Sequence, residues 1–125
     1  MKLFDSCVWA EILAESETGK TYRQRLPEAR QLLVSTLVVY EVSRWATRVM
    51  SSQKADVVLA TLLTGQVVEP TAAIALHAAE LATKYKLHAL DALIYATALE
   101  HDAELVTCDS HFKGLPQVDY TAKVK

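Results

Sequence analysis

Leu87-His88-Ala89-Leu90-Asp91-Ala92-Leu93-Ile94-Tyr95-Ala96-Thr97-Ala98, closed a few residues later by Leu105-Val106-Thr107-Cys108-Asp109, is the stretch that decides the fold. Its first part repeats apolar residues at helical spacing and predicts a helix from Leu87 to Glu100. Its second part is a short apolar run that ends abruptly in polar residues, as a buried strand does. A helix feeding a short buried strand is half of a βαβ unit, and the same alternation recurs upstream. Lys2 to Phe4 reads as a first strand, Leu32-Leu33-Val34 as a second and Val67-Val68 as a third, with Leu105-Val106 the fourth and a weak fifth near Val118.

Helical segments fill the gaps. They are expected at Ser6 to Ala14, Lys20 to Ala29, Ser35 or Thr36 to Met50, Gln53 to Leu63, and Pro70 or Thr71 to Tyr85, with a short turn at His111 to Lys113. Glu15 to Gly19 reads as a polar connection, and Thr121 to Lys125 as a loose polar tail. Short apolar runs alternating with longer helices point to an α/β fold, with three layers, α/β/α, around a mainly parallel sheet of four to five strands. The 125 residues suit one domain spanning residues 1–125.

Composition excludes other classes. Apolar residues make up 51% and charged residues 22%, which rules out disorder. No run of about 18 apolar residues suggests a membrane span, and the start lacks a signal-peptide pattern. Cys7 and Cys108 are too few for a disulfide framework and lack zinc spacing. They read as reduced thiols of a cytoplasmic protein. With 13 basic against 15 acidic residues the net charge is −2, so a permanent coat for nucleic acid is not expected. Brief contact through a local patch is compatible with that balance. Lys20, Arg23, Arg25 and Arg30 are candidates for such a patch, or else form a solvated helix face.

Four acids stand out by position. Asp5 and Asp109 leave the first and fourth strands, where an acid often caps the next helix. Glu41 has Leu37, Val38 and Trp45 as helical neighbours, and Asp91 has Leu87, Ile94 and Tyr95. A carboxylate on an apolar face is costly unless paired or bound to metal. Arg44 or Arg48 could pair with Glu41, and a helix dipole could favour Asp91. In a parallel sheet, however, all strand ends point to one edge, and ligands bind there where strand order reverses. All four acids can meet in that crevice. Such hard oxygen donors suit Mg²⁺ or Mn²⁺. Two such ions about 3.5–4 Å apart are a common device for in-line attack on a phosphodiester.

Leu3-Phe4-Asp5-Ser6, the helical Glu41, Leu90-Asp91-Ala92-Leu93-Ile94-Tyr95, and Thr107-Cys108-Asp109-Ser110-His111-Phe112-Lys113-Gly114-Leu115 together resemble the PIN-domain ribonucleases, and among them the VapC-type toxins of toxin–antitoxin pairs. The resemblance runs along essentially the whole chain. It implies that Asp5, Glu41, Asp91 and Asp109 are metal-binding catalytic acids, with Ser6 and Thr107 in support. His111 stands where some relatives carry a further acid. It also implies an endoribonuclease that uses Mg²⁺ or Mn²⁺, cuts RNA to leave a 5′-phosphate and a 3′-hydroxyl, is held by a cognate antitoxin protein, and commonly forms a homodimer.

Three rival classes fit the residues less well. A receiver-type signalling module needs adjacent acids after the first strand and an acceptor Asp after the third, but Ser6 follows Asp5 and Glu69-Pro70 follow the third strand. A haloacid-type phosphatase needs a second Asp at position 7, which is Cys7. A catalytically silent binding protein on the same fold would have no need of all four acids.

Overall fold

The computed structural model describes residues 1–124. Five strands form the central sheet: β1 (Lys2–Phe4), β2 (Leu32–Ser35), β3 (Gln66–Val68), β4 (Glu104–Thr107) and β5 (Val118–Tyr120). Six helices surround it: α1 (Ser6–Leu13), α2 (Glu17–Gln24), α3 (Thr36–Val49), α4 (Ser52–Leu62), α5 (Ala72–Tyr85) and α6 (Ala89–Glu100). Single 3-10 turns occupy Ala29–Gln31 and Ser110–Phe112.

The strand order is β3-β2-β1-β4-β5, and every pairing is parallel. The chain therefore walks outward from β1 to β3, then returns to the other side of β1 for β4 and β5. Right-handed crossovers place α1 to α4 on one face and α5 and α6 on the other. The reversal falls between β1 and β4, where Leu3 pairs with Leu105 and Phe4 with Val106. The Asp5 amide still donates to the Val106 carbonyl at 2.9 Å, so the seam extends one residue beyond the strands. This seam is the switch point at which a crevice opens.

β2 is buried at all four residues, as expected of a strand covered on both faces. The core gathers Phe4, Trp9, Tyr22, Tyr95 and Phe112, all at most 1% exposed. Two tyrosines carry their hydroxyls into this apolar setting with partners supplied. Tyr22 donates to the Thr107 carbonyl at 3.2 Å and Tyr95 to the Pro116 carbonyl at 2.7 Å.

The second helix departs from the expected boundaries. The polar connection Glu15 to Gly19 is largely helix, and α2 ends at Gln24, well before Ala29. Ser16 caps it by accepting the Gly19 amide at 2.9 Å. The preceding turn is made by Glu15 in the left-handed region, at φ 54°. Gly19, the end of the expected polar connection, sits where α2 crosses α1. A Cβ there would lie 1.8 Å from the Glu11 carbonyl oxygen. The tail is also less free than its polarity suggests. Thr121 donates to the Thr107 carbonyl at 3.1 Å and Val124 to the Thr18 hydroxyl at 2.8 Å. Lys125, the last residue of that expected loose tail, lies outside the described residues.

Gly19→Ala is therefore expected to destabilise the fold by about 3 kcal/mol, because α1 and α2 must part to admit one methyl group. Urea denaturation monitored by circular dichroism measures this loss.

Candidate active site

Asp5 is the first residue past β1 and the cap of α1. Its Oδ1 accepts the Ser6 amide at 2.8 Å. Its Oδ2 accepts the Thr107 hydroxyl at 2.8 Å and the Cys7 thiol at 3.5 Å. The carboxyl is only 3% exposed, and burial is the main reason its pKa is pushed up to about 6. The Thr107 and Ser6 hydrogen bonds oppose that rise, while the charge of Asp91 adds to it.

Thr107 ends β4 and is fully buried. While its hydroxyl donates to Asp5, it accepts the Asp109 amide at 3.0 Å. One side chain thus ties the exits of the two central strands together. Asp109 caps the following 3-10 turn, its Oδ1 accepting from the amide of His111 at 2.9 Å and paired with its Nδ1 at 2.7 Å.

Glu41 lies on the second turn of α3 and is half-buried. Among the described residues its Oε1 has no hydrogen-bond partner although it is buried. Neither Arg44 nor Arg48 forms an ion pair with it there. Burial raises the Glu41 pKa, the Ser6 side chain counters this, and the charge of Asp91 raises it further. Asp91 stands in the first turn of α6, half-buried. Its pKa is raised by burial and by the charge of Asp109, and lowered by His111 and His88.

Asp91 is thus the shared electrostatic neighbour. Its charge reaches Asp5 and Glu41, and that of Asp109 reaches Asp91. Asp5 and Asp109 stand at the exits of β1 and β4, and Glu41 on α3 and Asp91 on α6 couple to them through charge. Among the described residues, no three His, Cys, Asp or Glu side chains are drawn together into a ready coordination cage.

The basic residues are placed differently. Lys20 and Arg23 are exposed on α2 and line a shallow pocket with Ile12 and Glu15. Arg25 is ion-paired with Asp119 and lies 5.3 Å from the Tyr22 ring centre, and exposed Arg30 pairs with Glu28 at 2.9 Å. Arg44 and Arg48 share a pocket of about 300 Å³ with Glu41, Tyr40 and Trp45. They follow Glu41 at helical spacing of three and seven, a signal that sequence reasoning spent on charge pairing. His88 and His111 stand edge to face, ring centres 6.1 Å apart, beside Asp91.

Thr107→Val keeps the shape but strips Asp5 of its hydroxyl donor and the Asp109 amide of its acceptor. A loss of about 1–3 kcal/mol is expected in urea denaturation, with the Asp5 titration moving further upward by NMR. Raised acid pKa values mean that the folded state holds protons which the unfolded chain has released. The stability these acids lend the metal-free protein should therefore be fullest below the ordinary carboxylate range and be lost as pH rises from there to about 6, where Asp5 ionises, as thermal melts across that range measure. Asp91→Asn removes the charge that the neighbours share. It is expected to raise the melting temperature of metal-free protein near pH 7 and to flatten its fall with pH. A helix-dipole role alone for Asp91 would instead lower the melting temperature slightly.

The PIN domain family matches residues 2–117. No curated protein sequence matches. Among solved structures, the chain is similar to a toxin–antitoxin complex from Klebsiella pneumoniae, with 27% identity and a TM-score of 0.83 over 95% of this chain and 96% of that one. It shares the fold of Mycobacterium tuberculosis VapC20, described as a Sarcin-Ricin loop cleaving toxin, with 18% identity and a TM-score of 0.76 over 93% and 95% of the two chains. It shares it also with VapBC2 from Rickettsia felis bound to a DNA fragment from its promoter, with 16% identity and a TM-score of 0.75 over 97% of each chain. With the match covering nearly its whole length, the chain belongs to the PIN-domain family, and within it resembles the VapC-type toxins.

Proposed function

We propose that this chain is a metal-dependent endoribonuclease and the toxin half of a toxin–antitoxin pair. The observation that carries this is the electrostatic coupling of Asp5, Glu41 and Asp109 to Asp91 beside the β1–β4 switch point, with a buried Glu41 oxygen left without a hydrogen-bond partner among the described residues. Membership of the PIN-domain family and the toxin–antitoxin complexes among similar structures support it.

The donor set fits a hard divalent cation such as Mg²⁺ or Mn²⁺. Asp5, Glu41, Asp91 and Asp109 would hold it, offering carboxylate oxygens without sulfur or imidazole. Burial and mutual repulsion raise the pKa of Asp5, Glu41 and Asp91, so these groups lack the positive charge that a cation brings. When bound, the ion supplies Lewis acidity toward water and the phosphodiester. Thr107 and Ser6 fix the Asp5 carboxylate in one orientation before substrate arrives. Glu41 presents an oxygen with no competing donor, and Arg44 and Arg48 beside it offer positive charge to RNA phosphates. Lys20 and Arg23 on exposed α2 could extend that track, whereas Arg25 is engaged by Asp119. Hydrolysis at the 3′-oxygen side would leave a 5′-phosphate and a 3′-hydroxyl.

A partner follows from the same proposal, since such an enzyme in the cytoplasm endangers its own cell. A cognate antitoxin would mask the crevice, and a second copy of the chain would make a homodimer. The exposed side chains of Val57 on α4 and Leu76 on α5, 67% and 71% accessible, give apolar surface for such contacts. No helix is long and apolar enough to cross a membrane among the described residues.

RNA cleavage by the purified chain is expected to vanish in EDTA and return with Mg²⁺ or Mn²⁺. Asp5→Asn should lower the rate by about a hundredfold or more and relieve growth arrest when the chain is expressed alone. Full cleavage of RNA in excess EDTA would sink the metal-dependent mechanism. A harmless chain with verified RNase activity would remove the toxin role and keep the nuclease.

A further inference from the structure

Cys7 and Cys108 take no part in hydrolysis as derived above, yet the fold brings them together behind the acidic crevice. Cys7 lies in the first turn of α1 and Cys108 immediately follows β4. The Cys108 amide donates to the Cys7 sulfur at 3.4 Å, across 101 residues of sequence. Both are free thiols, Cys7 half-buried and Cys108 7% exposed. They line one open cavity of about 680 Å³, whose rim includes Asp109, Ser110, Tyr120 and Lys123. A small reagent entering that cavity therefore meets both residues. The Cys7 sulfur also stands 3.5 Å from the Asp5 Oδ2 and 3.5 Å from the Thr107 hydroxyl, the two groups that hold the seam.

We propose that Cys7 and Cys108 form a thiol–disulfide exchange site that takes a low-molecular-weight disulfide and closes to an intramolecular Cys7–Cys108 bond, disabling the site at Asp5. One protein sulfur attacks a sulfur of the small disulfide. That S–S bond breaks, a mixed disulfide forms, and one small thiol leaves with a proton. The second protein sulfur then attacks the first and expels the other small thiol. The two cysteines lose two electrons and two protons, and the small disulfide gains both. A sulfur–sulfur bond of about 2.05 Å removes the thiol proton that Cys7 donates to Asp5 and ties the first turn of α1, which Asp5 caps, to the exit of β4. The covalent step stands on the geometry of the thiols. Only its effect on cleavage rests on the nuclease proposed above.

The test incubates the purified full chain with oxidised glutathione and reads two signals from one sample. Intact mass is expected to fall by two hydrogen atoms, with a tryptic peptide joining Cys7 to Cys108. RNA cleavage is expected to fall at least tenfold and to recover with dithiothreitol. In Cys108→Ser the link cannot form, and the ratio of oxidised to reduced activity should stay near one. Wild-type thiols that stay free, or that stop as glutathione adducts, would overturn the exchange site. A complete link with unchanged cleavage, or equal inhibition of Cys108→Ser, would overturn its control of the site. A reduced chain that cuts no RNA would count against the nuclease alone, because the mass still reports whether the link forms.

Discussion

The hydroxyl of Thr107 is the contact on which the site depends. It donates to the buried Asp5 and accepts from the Asp109 backbone, so it fastens the exits of β1 and β4 to each other. Strand pairing ends at this point, and backbone bonds no longer hold the two exits in register. A fully buried threonine provides both a donor and an acceptor there, and its methyl group packs into the core. Without it, Asp5 would be a buried carboxyl supported mainly by its own helix. The Tyr22 hydroxyl and the Thr121 amide both reach the Thr107 carbonyl, so backbone and side chain of one residue organise the strand exits, α2 and the tail.

Around that seam the acids are arranged at an energetic cost. Burial is the largest cause of the upward shift in Asp5, Glu41 and Asp91, and mutual repulsion adds to it. Natural cores rarely keep carboxylates in this condition without a partner. Glu41 shows the imbalance most clearly, because arginines three and seven residues away leave its buried oxygen without a hydrogen bond. All three side chains line one pocket without an ion pair between them. The free protein thus holds unfavourable electrostatics at these acids.

Much of this was legible in the residues. Short apolar runs ending in Asp5 and Thr107-Cys108-Asp109 mark strand exits, and parallel pairing sends all exits to one edge. The apolar neighbours of Glu41 and Asp91 mark them as costly carboxylates before any fold is known. Strand order was not legible, because nothing in Leu32-Leu33-Val34 or Leu105-Val106 says that both flank β1. The close helix crossing at Gly19 was not legible either, because only the position of the Glu11 carbonyl makes a glycine necessary there. Arg25 is a surface cation by composition, but Asp119, 94 residues away, claims it. The meeting of Cys7 and Cys108 is hidden in the sequence for the same reason, since each looks unpaired until β1 and β4 are laid side by side.

The reversal of strand order has a consequence in time. β1 is made first, but its partner β4 begins about a hundred residues later, at Glu104. At a ribosomal pace of roughly 5–20 residues per second, Asp5 waits about 5–20 seconds for Thr107. Asp109 follows only after all six helices have been synthesised. A nascent chain therefore carries β1, β2 and β3 with no central seam and no assembled crevice. The acids cannot act together until the last strands join. The delay in assembling the sheet separates the start of synthesis from the first moment at which the finished protein can act.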